Sequence, residues 1–363
     1  MKINLILILL FFATFANAQP YSAYTDVRQN FYAFDNGEKV QLDHLVPISY
    51  KIGKSALAYV DNARDFRVFQ DGVITKVSDL FTTQFEVTDN LVLFRSANLL
   101  NVIEGNKIHE LSFLTDRFVF GDSVVLFYDL NKASFNAYYN GEIKTLENFL
   151  NIKDEDFQFG TTVKASDNIG AYVSFDNQFK VFYLNTITSL ETQIPLDFQV
   201  GRNTCAYVDI NNQFKIFHKG QTYTIDYFKP TSYQVGDDIV AFQGNDGNFK
   251  IFYDGQLHTI GYYSPKYQIY DNVVAYEDLN RFFSVFYKGE STQLDNFYPN
   301  DILSSYHSLV YTNRSNMIRM FSYGKVNDVT NMTVKEARLD YDVLQYKVGF
   351  NSFKFFTGGK NFE

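Results

Sequence analysis

Phe249-Lys250-Ile251-Phe252-Tyr253-Asp254-Gly255 is written again and again along this chain, and its reading decides the fold. Aligned on the closing glycine, the copies end at Gly37, Gly72, Gly105, Gly141, Asn185, Gly220, Gly255, Gly289, Gly324 and Gly359, spaced by 35, 33, 36, 44, 35, 35, 34, 35 and 35 residues. The one departure is Asn185, and asparagine is the residue that best tolerates the left-handed region after glycine. The position therefore needs positive φ, as a tight hairpin turn does.

An apolar run ending in an aromatic precedes each copy, at Tyr24, Tyr59, Phe94, Phe127, Tyr172, Tyr207, Phe242, Tyr276, Tyr311 and Tyr346. A polar turn such as Asp209-Ile210-Asn211-Asn212 separates the two runs, which is a hairpin pattern. After the glycine comes a short third run, Leu257-His258-Thr259-Ile260, then a loop and a fourth, Tyr267-Gln268-Ile269. Each unit reads as four short antiparallel strands. Helical repeats share this period, but the alternation here has period two and not 3.6.

The two faces of a strand choose among all-β architectures. Phe249, Ile251 and Tyr253 point one way, Lys250 and Phe252 the other, so both faces carry large apolar groups. A two-layer sandwich would leave one face of each sheet wet and polar. In a propeller each blade lies between two others. The sequence predicts an all-β β-propeller of about ten short four-stranded antiparallel repeats. Ring closure by shared strands is not visible at the chain ends. Repeat units fall near 21–50, 51–87, 88–120, 121–159, 160–200, 201–235, 236–269, 270–303, 304–338 and 339–363. The longest spacing places an insertion around Asn151 to Asn168.

Composition agrees. Of 363 residues 46% are hydrophobic and 18% aromatic, with 38 Phe, 27 Tyr and no Trp, which favours strands and a sizeable core. A net charge of −9 without a Lys/Arg cluster opposes binding to nucleic acid. Residues 1–18 read as a signal peptide: Lys2, the apolar run Leu5 to Phe15, then Ala16-Asn17-Ala18 as a small-x-small cleavage pattern. The expected product, 19–363, is exported to the periplasm or beyond, with no transmembrane segment after cleavage. A single cysteine, Cys205, excludes an intramolecular disulfide and reads as a small buried hydrophobe.

The chain resembles secreted bacterial β-propeller repeat proteins, of a type with FKVFYDG-like repeats. WD40 repeats are excluded by the absence of Trp, and the glycine pairs of kelch repeats are missing. So are the tryptophan docking motif of quinoprotein dehydrogenases and the Asp-box of sialidases. The resemblance implies fold and compartment and no activity.

No catalytic, cofactor or metal motif is present. His44, His109, His218, His258 and His307 show no ligand spacing and read as structural. Asp26, Asp61, Asp129, Asp209 and Asp278 close the marker strands, where side-chain oxygens build turns; each turn is too poor in carboxylates for calcium. Loop aromatics are the candidate ligand-binding residues: Tyr227, Tyr262, Tyr263 and Tyr298, as platforms for sugar rings or partner side chains or else as latches between blades. Gln158, Gln199, Gln234 and Gln268 in the fourth runs would line a polar channel. The expected role is a binding or scaffold protein for an envelope or extracellular protein. A lectin using the loop tyrosines is one alternative, and a polysaccharide-active enzyme with carboxylates at the disc centre is another.

Overall fold

The computed structural model describes residues 21–35, 37–78, 82–115, 117–148, 161–349 and 352–363. The expected leader, Gln158 and most of the expected insertion lie outside these. Among the described residues the chain forms ten antiparallel sheets, the first of three strands and the other nine of four. In every sheet the strands lie side by side in sequence order, so each is a meander. Blade 7 is typical: Ser232–Gly236 innermost, then Ile239–Gln243, Asn248–Tyr253 and Gln256–Tyr262 at the rim. The ring is a ten-bladed propeller.

The sheets are out of phase with the repeat by one strand. Tyr267–Tyr270, read as the end of one repeat, is the innermost strand of blade 8 and pairs with Val273–Glu277. A sequence repeat has no natural start, whereas a sheet begins where the chain crosses from the rim back to the axis.

Both faces of the two central strands of a blade carry buried side chains, for the reason the pattern gives, while the rim strand is largely exposed. Phe249 and Ile251 pack with Val274, Tyr276 and Phe286 of blade 8. Phe252, one residue on, points the other way into Ala206, Val208 and Ile216 of blade 6. Burial of an aromatic of this size is worth roughly 1.5–3 kcal/mol, repeated in each seam. The hairpin turns need positive φ at both central residues, as in Asp254 (46°) and Gly255 (83°). Asn185 has φ 62° and Leu184 before it 45°.

The seam between the last blade and the first is closed by rings. Phe34 stacks on Phe355 at 4.3 Å with 6° between planes, and Tyr24 joins them at 5.4 Å. Among the described residues no strand is shared across this seam.

Candidate functional site

Because each sheet is a meander, its connections alternate between two ends, and the disc has two faces. One carries the turns between the second and third strands and the loops from rim to axis; it is the loop face. The other carries the turns from the innermost to the second strand and the glycine hairpins; it is the turn face.

On the turn face, the innermost turns crowd about the axis. A Cβ on Gly201 would lie 2.1 Å from Gly236 O, so only glycine permits the approach of blades 6 and 7. The turns are stitched to one another. Asn168 donates to Asn203 (2.7 Å), Asn203 donates to Asp238 (2.9 Å), and the Asp89 amide donates to Asp122 (3.3 Å). Five residues before the marker aromatics of blades 2 to 10 stand Lys54, Asp89, Asp122, Asp167, Arg202, Asp237, Asp271, Tyr306 and Tyr341. Folding turns this column into a ring. Arg202 reaches into it, 2.6 Å from Asp167 and 3.5, 3.8 and 3.9 Å from Asp237, Asp122 and Asp89. A cavity of about 260 Å³ remains beside it, lined by Lys54, Asp89, Asp122, Asp167 and Tyr306.

The mouth has more carboxylates than cations, and that sets its electrostatics. Burial, then the Asp122 carboxylate, pushes Asp89 up to about 7. Burial and the neighbouring Asp122 and Asp237 raise Asp167 further still. Burial also raises Asp237, against the pull of Arg202. The guanidinium among them pulls the other way, and burial outweighs it at all three. The sequence hides them because the members of this column lie a repeat apart and meet only where the innermost turns converge on the axis.

The loop face is different. Asp26, Asp129, Asp209 and Asp278 turn inward and accept backbone N–H groups two and three or four residues on, as expected of Asx turns. Asp61 does the same for the Asp65 amide and pairs with Arg67 at 2.6 Å. The residue after the aspartate is then thrust outward, and it is often apolar: Val27, Leu130, Ile210 and Leu279 are all exposed. Phe175, after Ser174 in the equivalent turn, is exposed too. The rim-to-axis loops add Leu45, Phe113, Leu196, Tyr227, Phe228 and Tyr262. Among the described residues the turn-face connections offer only Leu184 and Tyr323 of this kind. The signal was in the sequence as an apolar residue inside a turn that does not need one.

The four loop tyrosines divide. Tyr227 and Tyr262 stand out, 72% and 77% exposed. Tyr263 and Tyr298 are half-buried: Tyr263 lies edge-on to Phe249 at 6.3 Å, and Tyr298 edge-on to Phe283 at 5.2 Å. Two therefore project from the loop face, and two pack against a third-strand ring of their own blade. The channel glutamines stitch innermost strands together: Gln199 donates to Tyr233 O (3.2 Å) and Gln234 accepts from the Ile269 amide (2.8 Å).

The histidines sit apart. His218 is buried against Thr204 (3.0 Å), while His109 and His258 lie against Tyr138 and Phe286. No group of three or more His, Cys, Asp or Glu among the described residues is arranged to hold a metal ion. Cys205 is fully buried, which raises its thiol well above the usual range.

A family model, the 10-bladed beta propeller domain, matches residues 15–362. The chain belongs to this family. Ten-bladed propeller members are thus its relatives by sequence as well as by shape. No curated protein matches it. Among solved structures it is similar to a eukaryotic initiation factor at 10% identity and TM-score 0.46, covering 85% of this chain and 97% of that one. It is also similar to the computationally designed Ika8 protein (15%, TM-score 0.33, 76% and 96% covered). BamB from Moraxella catarrhalis is a third (10%, TM-score 0.31, 74% and 92% covered). Similarity at this level fixes neither activity nor partner.

Proposed function

We propose that the chain is an exported propeller scaffold that mediates protein–protein interaction in the cell envelope or outside the cell. The observation that supports this is the chemical difference between its two faces. Loop tips expose apolar side chains that the fold itself does not use, and the opposite face centres on an acidic mouth. A rigid disc with two unlike faces suits holding two different things at once.

The test is a pull-down from native envelope and culture fluid with the purified protein. A stoichiometric protein partner, lost on Asp271→Lys at the turn face or Leu279→Asp at the loop face, supports the scaffold. Recovery of glycan with no protein overturns it. The exposure of Tyr227 and Tyr262 favours a second reading, a lectin. On that reading Tyr262→Ala abolishes sugar binding and leaves the thermal melt unchanged.

A further inference from the structure

We propose that the loop face seats the disc on an anionic lipid surface, with its apolar tips entering the headgroup layer. This rests on reading that face as a docking face and goes beyond it by naming what it docks on.

The argument is the pairing of groups at each tip. Val27 is followed by Arg28, Leu130 by Lys132 two residues on, Phe228 by Lys229, and Leu279 by Arg281 two residues on; all eight side chains are exposed. Tyr262 and Lys266 lie exposed at the rim-to-axis connection of blade 7 in the same way. The chain as a whole carries −9, yet in the turns at Asp26, Asp129 and Asp278 the aspartate is drawn inward by backbone N–H groups while Arg28, Lys132 and Arg281 stand exposed. Asp176 and Asp246 are the exposed turn aspartates on this face. An apolar tip beside a cation satisfies both layers of an anionic membrane boundary, hydrocarbon and phosphate. Tyrosine favours the same boundary.

Distribution separates lipid from protein. A protein interface gathers its apolar groups into one charge-depleted core. Here they are scattered around the annulus: Val27, Leu130, Phe228 and Leu279 have a cation within two residues, whereas Leu45, Phe113, Phe175, Leu196 and Ile210 add apolar area alone. Asn62, Ala97, Asn245, Arg314 and Gly349 interrupt the series in blades 2, 3, 7, 9 and 10. A flat, laterally uniform partner accepts such scatter. The acidic mouth lies on the far face, so the charge distribution also orients the disc. No helix among the described residues is long and apolar enough to cross a membrane, so the seating would be peripheral.

The absence of tryptophan gives a direct test. Phe228→Trp places one reporter on the loop face and Tyr323→Trp one on the turn face. Each protein is mixed with vesicles of phosphatidylcholine containing phosphatidylglycerol, and with phosphatidylcholine alone. The expected result is a blue shift of the Phe228→Trp emission on the anionic vesicles alone, reduced by salt and not reversed by free glycerol phosphate. Tyr323→Trp does not shift. Each charge reversal, Arg28→Glu, Lys229→Glu or Arg281→Glu, weakens vesicle binding about fivefold or more. A shift at Tyr323→Trp equal to that at Phe228→Trp, no shift on anionic vesicles, or unchanged binding in the reversed variants overturns the proposal. If the reversals instead release a stoichiometric protein partner while no variant binds vesicles, docking stands and lipid seating falls.

Discussion

Arg338 Nη1 donates to Tyr50 Oη at 2.7 Å, joining the innermost strand of the tenth blade to that of the second. The same guanidinium donates to Ala23 O (2.8 Å) in the first blade and to Asp340 (2.9 Å) in its own. Ser22 completes the knot by donating to Asp340 at 2.8 Å. One planar fork thus ties three blades where the ring begins and ends. Lysine, a point donor on a flexible stem, cannot make these bonds together.

Removal of that fork tests its part in closure. Arg338→Ala lowers stability by roughly 2–3 kcal/mol, because it strips four hydrogen bonds, the fourth to Gln345, and leaves the shielded Asp340 without its cation. Arg338→Lys recovers part of this, and Tyr50→Phe costs only about 1 kcal/mol. Chemical denaturation of the three variants gives the ranking. A neutral Arg338→Ala shows that ring packing alone, Phe34 on Phe355, closes the disc.

Phe249 and Phe252 lie three residues apart on one strand and fill opposite seams. Each truncation to alanine empties a well-packed site and costs roughly 3–5 kcal/mol. The two effects add closely, since a whole sheet separates the cavities. Loss below about 1 kcal/mol at either site contradicts the two-sided burial on which the propeller reading depends.

The hairpin of blade 5 departs from the glycine pattern at both central positions. Leu184 holds φ 45° and is exposed, at a site where other blades place Asp71, Asn140, Lys219 or Asp254. Leu184→Asn relieves strain and an unneeded apolar contact with water, and stabilises by several tenths of a kcal/mol. Asn185→Gly is neutral or slightly stabilising, although it gives up an exposed bond to Glu142 (2.7 Å). Asn185→Val destabilises, because a β-branched residue resists positive φ. Thermal melts of the three order them Asn or Gly above wild type or equal to it, and Val below.

Local rules explain how much of this was legible in the sequence. Gly255, Asn185 and the aromatic alternation around Phe249 report backbone φ and two-sided burial directly, so the ten-bladed architecture could be read from them. The inward-turned Asp209 and Asp278 were legible for the same reason. The phase of the sheets was not, because Tyr267-Gln268-Ile269 carries no mark saying which neighbour it pairs with. The axial ring was also hidden: Asp89 and Arg202 are 113 positions apart, and only closure about an axis brings them together. Tyr262 and Tyr263 differ in exposure because adjacent loop residues face opposite ways, which loop sequence does not encode.

Asp89 gives the axial mouth a pH dependence whose sign follows from its raised carboxyl. Its folded value is about 7 against an ordinary 3.8, so the folded state favours the protonated form. Its contribution is fully present below pH 4 and is lost as pH rises through about 7. The upper bound is roughly 4 kcal/mol were Asp89 to titrate alone; sharing with Asp122, Asp167 and Asp237 lowers its individual part. Buried His307, held down to about 4, acts with the opposite sign below neutrality, so wild type alone does not isolate the effect. The measurement is therefore a difference. Asp89→Asn, which cannot ionise, is expected to match wild type near pH 4 and to exceed it in melting temperature at pH 8. Arg202→Met, which removes the cation and leaves the acids, shows the reverse and is most destabilised at pH 8. Parallel pH profiles for wild type and Asp89→Asn would mean that the mouth is already neutralised by Arg202 and Lys54.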